Sequence, residues 1–179
     1  MRKELTKKSK FLSLILRHDP KAAGLELDTN GWCDVQQLMI GASQAGVLIS
    51  LEELFEIVET NEKRRFRLSE DRTRIRANQG HSVSIDLELK QVDPPDVLYH
   101  GTTTRFEESI RSKGLLKMKR HHVHLSGDLN TAKTVGMRHG KVLLLRINSL
   151  QMKRDGFKFY RSENDVWLVE EVPSKYIEP

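Results

Sequence analysis

Two consecutive prolines, Pro94 and Pro95, sit in the stretch QVDPPDV at 91–97. Proline fixes φ, lacks a backbone N–H and disfavours helical geometry at the residue before it. Neither a helix nor a central strand runs through such a pair. The 179-residue chain is therefore expected to form two lobes, 1–92 and 93–179. Hydrophobic residues make up 37%, enough for a modest core in each.

The first lobe reads as helices followed by a hairpin. Between residues 5 and 18 the apolar positions are Leu5, Phe11, Leu12, Leu14, Ile15 and Leu16, a spacing that predicts an amphipathic helix. Pro20 should stop it near His18. DTNGWCDV supplies a turn at Asn30-Gly31 and a short extended piece, and VQQLMIGASQAG reads as a helix closed by Gly46. SLEELFEIVETN reads as another, with Ser50 and Glu53 forming a capping box. RRFRLS and RTRIRAN flank EDR as a β-hairpin. Helices followed by a hairpin predict a winged-helix lobe.

The second lobe alternates. VLYHGT, HVHLS, KVLLLRI, FKFY and VWLVEEV read as strands, and RFEESIRSKG and LNTAKTVGMRHG as helices. The expected class is α+β, a winged-helix lobe followed by a mixed α/β lobe.

Charge narrows the partners. The formal net charge is +5, with 15 Lys/Arg against 14 Asp/Glu in residues 1–92 and 15 against 11 in 93–179. No basic tail accounts for the surplus, so any basic surface is assembled by folding; a polyanionic partner fits. Cys33 is the only cysteine, which excludes an intramolecular disulfide and argues against a thiolate zinc site. FLSLIL at 11–16 is too short to span a bilayer and no apolar signal segment follows the basic N-terminus. A soluble cytoplasmic monomer is expected, with no membrane and no metal.

Several stretches have residues suited to chemistry. In LRHDPKAAGL at 16–25 a helix runs out in Arg17 and His18. Cations at a helix C-terminus complement its dipole, worth roughly 0.3–1 kcal/mol. The same pair suits a phosphate, with a planar fork from arginine and one more bond or a proton from histidine. In KRRFRL at 63–68 a strand would place Lys63, Arg65 and Arg67 on one face, either a solvated basic edge or the lining of a nucleic-acid groove. IRANQGHS at 75–82, with Gln79, His81 and Ser82, is either an ordinary strand exit or a polar binding loop. YHGT at 99–102 ends a strand, where Gly101 permits close approach of a ligand to the backbone. His100 and Thr102 flank it with a ring and a hydroxyl. RHHVHLS at 120–126 puts His122 and His124 on one strand face and His121 on the other. Alternating histidines can bind zinc, but no third ligand follows at the usual spacing, and a polar pocket wall fits better.

The order of these stretches is more specific than any one of them. LxxxLRH followed by Pro, KRRF, IRANQGHS, LYHGT, RHHVHLS and VGMRHG occur in that sequence along the chain. In this the chain resembles the RNA 2′-phosphotransferase family, NAD-dependent enzymes known from tRNA splicing, over residues 5–175. The resemblance implies a winged-helix lobe joined to an ADP-ribosyltransferase-type lobe. It implies removal of an internal 2′-phosphate from RNA, with tRNA the expected substrate and NAD+ as co-substrate. The products would be 2′-OH RNA, nicotinamide and ADP-ribose 1″,2″-cyclic phosphate. The family's essential Arg-His pair matches Arg17 and His18, and its third essential residue matches Arg65. The fourth falls on Arg120, with Arg138 as the second candidate. The resemblance places NAD+ against His100, Gly101, Thr102, His122, His124, Ser126 and Arg138, and RNA against Lys63, Arg67, Gln79, His81 and Ser82. Wider ADP-ribosyltransferases carry a glutamate late in the lobe. Val166 stands nearest that position, consistent with a phosphate nucleophile that a carboxylate would repel.

Two rival classes stand beside this reading. One is an ADP-ribosyltransferase on nucleic-acid phosphate or protein that stops after the first step. The other is a winged-helix binding protein without catalysis, which leaves YHGT and RHHVHLS unexplained.

Overall fold

The first helix ends where Pro20 requires it to. In the structure, a computed structural model, residues 3–61 and 64–178 are described, apart from the side chains of Lys3 and His139. Helix α1 spans Lys3–Arg17 and buries Leu5, Leu12, Ile15 and Leu16. The N–H groups of His18 and Asp19 both donate to the Leu14 carbonyl at 2.9 Å. Asp19 then caps a 3-10 turn, Pro20–Ala23, accepting from the Ala22 N–H at 3.2 Å. Proline at the first position of a turn loses nothing, because its N–H would be unpaired there anyway.

The chain divides into two compact units, Met1–Glu88 and Leu89–Pro179. In the first, strand β1 (Cys33–Asp34) leads into α2 (Val35–Gln44), which Asp34 caps at the Gln37 N–H. Helix α3 (Leu51–Glu59) starts at the expected capping box of Ser50 and Glu53. The Glu53 carboxylate also takes Lys8 Nζ at 2.6 Å, so the cap ties α3 to α1. Strands β2 (Phe66–Leu68) and β3 (Arg74–Ala77) form the expected hairpin. The three strands make an antiparallel sheet in the order β1-β3-β2. Its inner face carries Cys33, Ile75, Phe66 and Ala77 into the core with Leu38, Leu54 and Ile57. Burial, with Asp34 beside it, pushes the Cys33 thiol up to about 11, which leaves it unreactive at neutral pH.

The described strand is shorter than expected. Lys63 lies outside the described residues, Arg64 has φ +40°, and β2 starts only at Phe66. A left-handed residue interrupts the alternation at 64, so among the described residues the regular alternation holds only after it.

In the second unit β4 (Leu98–Thr103) is followed by α4 (Glu107–Lys113), β5 (Leu115–Leu116), β6 (Val123–Leu125) and α5 (Leu129–Gly136). Then come β7 (Val142–Ile147), α6 (Ser149–Arg154), β8 (Tyr160–Arg161), β9 (Trp167–Val169), β10 (Glu171–Val172) and β11 (Ile177–Glu178). Small antiparallel sheets result: β11-β7-β4, β6-β9-β8 and the pair β10-β5. A Tyr99–Ser126 bridge joins the edge of β4 to the end of β6. Leu98, Ile147, Met152, Phe159, Leu168 and Val169 fill the core. VWLVEEV is two strands with different partners rather than one, because β9 pairs with β6 and β8 while β10 turns to β5. β6 begins at Val123, so His121 and His122 precede the strand and do not alternate with His124 across it. The whole is mixed α and β, and no described helix is long and apolar enough to cross a membrane.

Gly101 is read from sequence as an opening for a ligand, but the space its missing side chain leaves holds helix α5. A Cβ there would lie 1.7 Å from the Ala132 carbonyl oxygen and 3.0 Å from the Gly136 N–H. Both neighbours are backbone and cannot rotate away. Gly101→Ala should therefore destabilise the second unit by about 3 kcal/mol, the upper end for overpacking. Denaturant unfolding of the variant, read beside the wild type, measures this; equal midpoints would mean that α5 does not pack on β4 in this way.

Candidate functional site

In the first unit the loop after β3 folds back onto the end of α1. The last carbonyls of a helix lack partners within it. Here the Arg17 carbonyl accepts from the Ser82 N–H at 2.8 Å and from the Val83 N–H at 3.4 Å. The Ser82 hydroxyl lies 3.0 Å from His18 Nδ1. Residues 64 positions apart in sequence are thus neighbours.

Arg65 arrives from the entry to β2. Arg17 Nη2 donates to its carbonyl at 3.4 Å and the Arg17 guanidinium lies 5.9 Å from the Phe66 ring centre. Arg65 Nη1 donates to Asn61 Oδ1 at 3.5 Å. Asn78 fixes the strand entry, with its N–H to the Arg65 carbonyl at 2.9 Å and its amide to the Arg64 carbonyl at 2.6 Å. Burial pulls the Arg65 pKa below the ordinary guanidinium value, yet arginine remains protonated at neutral pH. A partly desolvated cation gains more from an anion than a hydrated one does. The helix end therefore gathers Arg17, His18, Arg65 and Ser82, donors of the kind that hold a phosphate. Gln79 is partly exposed in the same loop, and His81 is buried. Arg67 lies further along the sheet, 5.0 Å over the Trp32 ring.

In the second unit three predicted residues are linked. His100 Nδ1 lies 2.9 Å from the His124 carbonyl oxygen, and Arg120 Nη1 lies 3.3 Å from His124 Nδ1. A carbonyl only accepts, so the His100 Nδ1 carries the proton and its Nε2 is left as an acceptor in the neutral ring. A guanidinium only donates, so His124 Nδ1 accepts and its Nε2 carries the hydrogen. The two rings thus offer one acceptor and one donor. Ser126 is held beside them by its paired backbone bonds to Tyr99, both 2.8 Å. Thr102 is partly exposed on β4. His122 packs against Tyr160, ring centres 5.5 Å apart, outside the strand. Arg138 is exposed in the 3-10 turn that follows α5, and none of these described side chains bonds to it. No group of three described His, Cys, Asp or Glu residues is placed to hold a metal ion.

These clusters can be set against known proteins. The chain matches the family described as "RNA 2'-phosphotransferase, Tpt1 / KptA family" over residues 3–171. The chain belongs to this family. A relative from Hahella chejuensis, named "Probable RNA 2'-phosphotransferase", is 52% identical over 99% of this chain and 95% of its own. Relatives of the same name from Flavobacterium johnsoniae and Acaryochloris marina are 54% and 53% identical, over 95% and 98% of this chain and 93% and 97% of theirs. The chain is accordingly a transferase of the RNA 2′-phosphotransferase class.

Asn61 and Asn78 hold this family member's Arg65 in place, and sequence reasoning did not single out either. Asn61 closes a helix whose polar tail looks ordinary, and only the fold brings it to Arg65. Asn78 lies within IRANQGHS, but its partners, the carbonyls of Arg64 and Arg65, have no sequence signature.

Burial holds the His100 imidazole below its ordinary 6.5, against the raising effect of its bond to the His124 carbonyl; Arg120 lowers it further. The unfolded chain keeps the ordinary value. Between the two values the unfolded state binds a proton that the folded state refuses, so stability falls as pH drops below about 6.5. His100→Asn keeps a donor for the carbonyl and removes the titration. Its unfolding free energy should depend less on pH than the wild type's between about pH 5 and pH 8. Identical pH profiles for the two proteins would show that His100 is not held neutral.

Proposed function

We propose that this chain removes an internal 2′-phosphate from RNA, of the kind left at a tRNA splice junction, by transferring it to NAD+. An RNA-2′-phospho-ADP-ribose intermediate links the two steps. The products are 2′-OH RNA, nicotinamide and ADP-ribose 1″,2″-cyclic phosphate. The observation that carries the reading is the gathering of Arg17, His18, Arg65 and Ser82 at one helix end, in a chain of this family. The curated relatives carry the 2′-phosphotransferase name over nearly their whole length, which supports the RNA half.

The architecture is read with it. Helices followed by the β2–β3 hairpin support a winged-helix RNA-binding lobe over 1–92, with the hairpin as the wing. Two small sheets bridged at Tyr99–Ser126, with YHGT on one and His124 on the other, support an ADP-ribosyltransferase-like lobe over 93–179.

The donor set of the second unit suits NAD+. The free His100 Nε2 can accept from a ribose hydroxyl, and His124, Thr102 and Ser126 add polar groups for the rest of the dinucleotide. NAD+ supplies a ribose C1″ activated by its nicotinamide leaving group. Arg17 and Arg65 hold the RNA 2′-phosphate, whose oxygen is the nucleophile toward C1″. The ribose 2″-OH then displaces the RNA 2′-oxygen from phosphorus. Charge on phosphorus rises only in this second step, which is where guanidinium donors from Arg17, Arg65 and Arg120 matter most. His18 orients the attacking hydroxyl or carries its proton, with Ser82 fixing the ring. A carboxylate near Val166 is unnecessary, since the nucleophile is already an anion.

Incubation with NAD+ and a short 2′-phosphorylated RNA tests the reading directly. Cyclic phosphate and 2′-OH RNA support it, and a stable ADP-ribosyl adduct supports the one-step transferase instead. Arg17→Ala and Arg65→Ala should each lower turnover roughly 10²–10³-fold with the fold intact. Arg17→Lys should recover only part, since an ammonium lacks the planar fork. Near-normal turnover in either alanine variant would remove these residues from the phosphate site. Arg120→Ala should accumulate RNA-phospho-ADP-ribose if it serves the second step. Slow turnover without that intermediate would move Arg120 to the first step or to binding.

A further inference from the structure

The backbone is strained where it delivers Arg65. Arg64 has φ +40°, a left-handed conformation that is unfavourable for a residue with a side chain. Its N–H donates to the Asn61 carbonyl at 2.7 Å. Its carbonyl accepts from Asn78 Nδ2 at 2.6 Å. The next carbonyl, that of Arg65, accepts from the Asn78 N–H at 2.9 Å and from Arg17 Nη2 at 3.4 Å.

Those two carbonyls decide the aim of one side chain. A peptide group is planar, so holding its carbonyl holds the whole plane. The Arg64 carbonyl belongs to the plane before the Arg65 Cα, and the Arg65 carbonyl to the plane after it. Asn78 bonds to both, with its side chain on the first and its backbone on the second. The direction of the Arg65 Cα–Cβ bond is therefore set by one residue. At the far end of the side chain Arg65 Nη1 donates to Asn61 Oδ1 at 3.5 Å. Among the described residues no carboxylate pairs with Arg65, so its charge is not cancelled within the unit.

Stability alone does not account for an asparagine at position 78. The residue is 6% exposed, and its Oδ1 is buried without a hydrogen-bond partner among the described residues. A half-paired buried amide adds little to stability. An apolar residue would avoid the unpaired oxygen but could not hold the Arg64 carbonyl.

We propose that Asn78 is a positioning residue of the phosphate site: its side-chain amide holds the strained turn at Arg64 and so aims Arg65 at the RNA 2′-phosphate. The inference rests on the phosphotransferase reading above and names a residue that serves it without touching the substrate. Aim matters because a misplacement of about 1 Å costs on the order of 10²-fold in rate.

A double-mutant cycle with Arg65 tests this, read as the single-turnover rate of 2′-phosphate removal at saturating NAD+. Asn78→Ala removes the amide and keeps the backbone N–H. With Arg65 present it should lower the rate roughly ten- to a hundredfold. In the Arg65→Ala background, which is already slow, it should lower the rate no further, because no guanidinium is left to aim. A purely structural role would slow both backgrounds by the same factor. Melting curves set a temperature at which all four proteins are folded. Asn78→Ser, whose hydroxyl falls one bond short of the amide position, replaces Asn78→Ala if that variant does not fold. Equal losses in the two backgrounds, or no loss with Arg65 present, overturn this inference alone. Failure of the wild type to release 2′-OH RNA overturns the phosphotransferase reading and this inference with it.

Discussion

The carbonyl of Arg17 ends a helix and has no partner within it, and the whole arrangement proposed to bind the phosphate depends on where it finds one. The Ser82 and Val83 N–H groups supply the partners. That pairing fixes the loop after β3, brings the Ser82 hydroxyl to His18, and holds the hairpin against α1. It also bears on electrostatics. A helix C-terminus carries partial negative charge and opposes a phosphate by a few tenths of a kcal/mol to about one. Donors on its carbonyl withdraw some of that charge. In the proposed phosphate site Arg17 and Arg65 would outweigh the remainder, because two guanidinium groups in a partly desolvated site attract an anion more strongly than the helix end repels it.

The second unit uses a similar economy of hydrogen bonds to fix proton positions. The His124 residue takes part twice, with its carbonyl facing His100 and its ring facing Arg120. One residue on β6 thereby sets the orientation of both rings. A shift in the β4–β6 edge, held by the Tyr99–Ser126 bridge, would disturb both at once. Gly101 contributes indirectly: by admitting α5 against β4 it keeps the strand that carries His100 in place.

Much of this was legible in the sequence, and the reasons for the rest are physical. Helix α1 could be read because a long apolar stripe met a proline, and α3 because Ser50 and Glu53 form a reciprocal cap. Helix α6, with six residues, and the two-residue strands β5 and β11 are too short for periodicity to register. The start of the described strand β2 was placed too early because alternation assumes an extended chain, and Arg64 at φ +40° departs from one. Arg17, His18 and Ser82 could be named from their types, but their proximity could not, since it comes from tertiary bonds spanning most of the first unit. His122 looked equivalent to His124 by spacing. The strand starts one residue too late for that, and His122 packs on Tyr160 instead.

Net charge told less than its placement. Residues 1–92 are nearly neutral in sum, yet the acids concentrate on α3, which carries Glu52, Glu53, Glu56 and Glu59, while arginines crowd the hairpin. Glu53 is spent internally, on the cap and on Lys8. The arginines are treated differently. Arg17 lies against Phe66, and Arg67, Arg74 and Arg76 against Trp32, while Arg72 and Arg74 also meet the carboxylates of Glu59 and Asp28. Stacking holds a guanidinium in place without cancelling its charge, which a salt bridge would do. Arginine suits this and lysine does not, because a planar, weakly hydrated cation lies on a ring with its N–H edge still directed outward. A fold that orders its cations on aromatic faces keeps them oriented and charged, and that combination is what recognition of a phosphate-bearing strand requires.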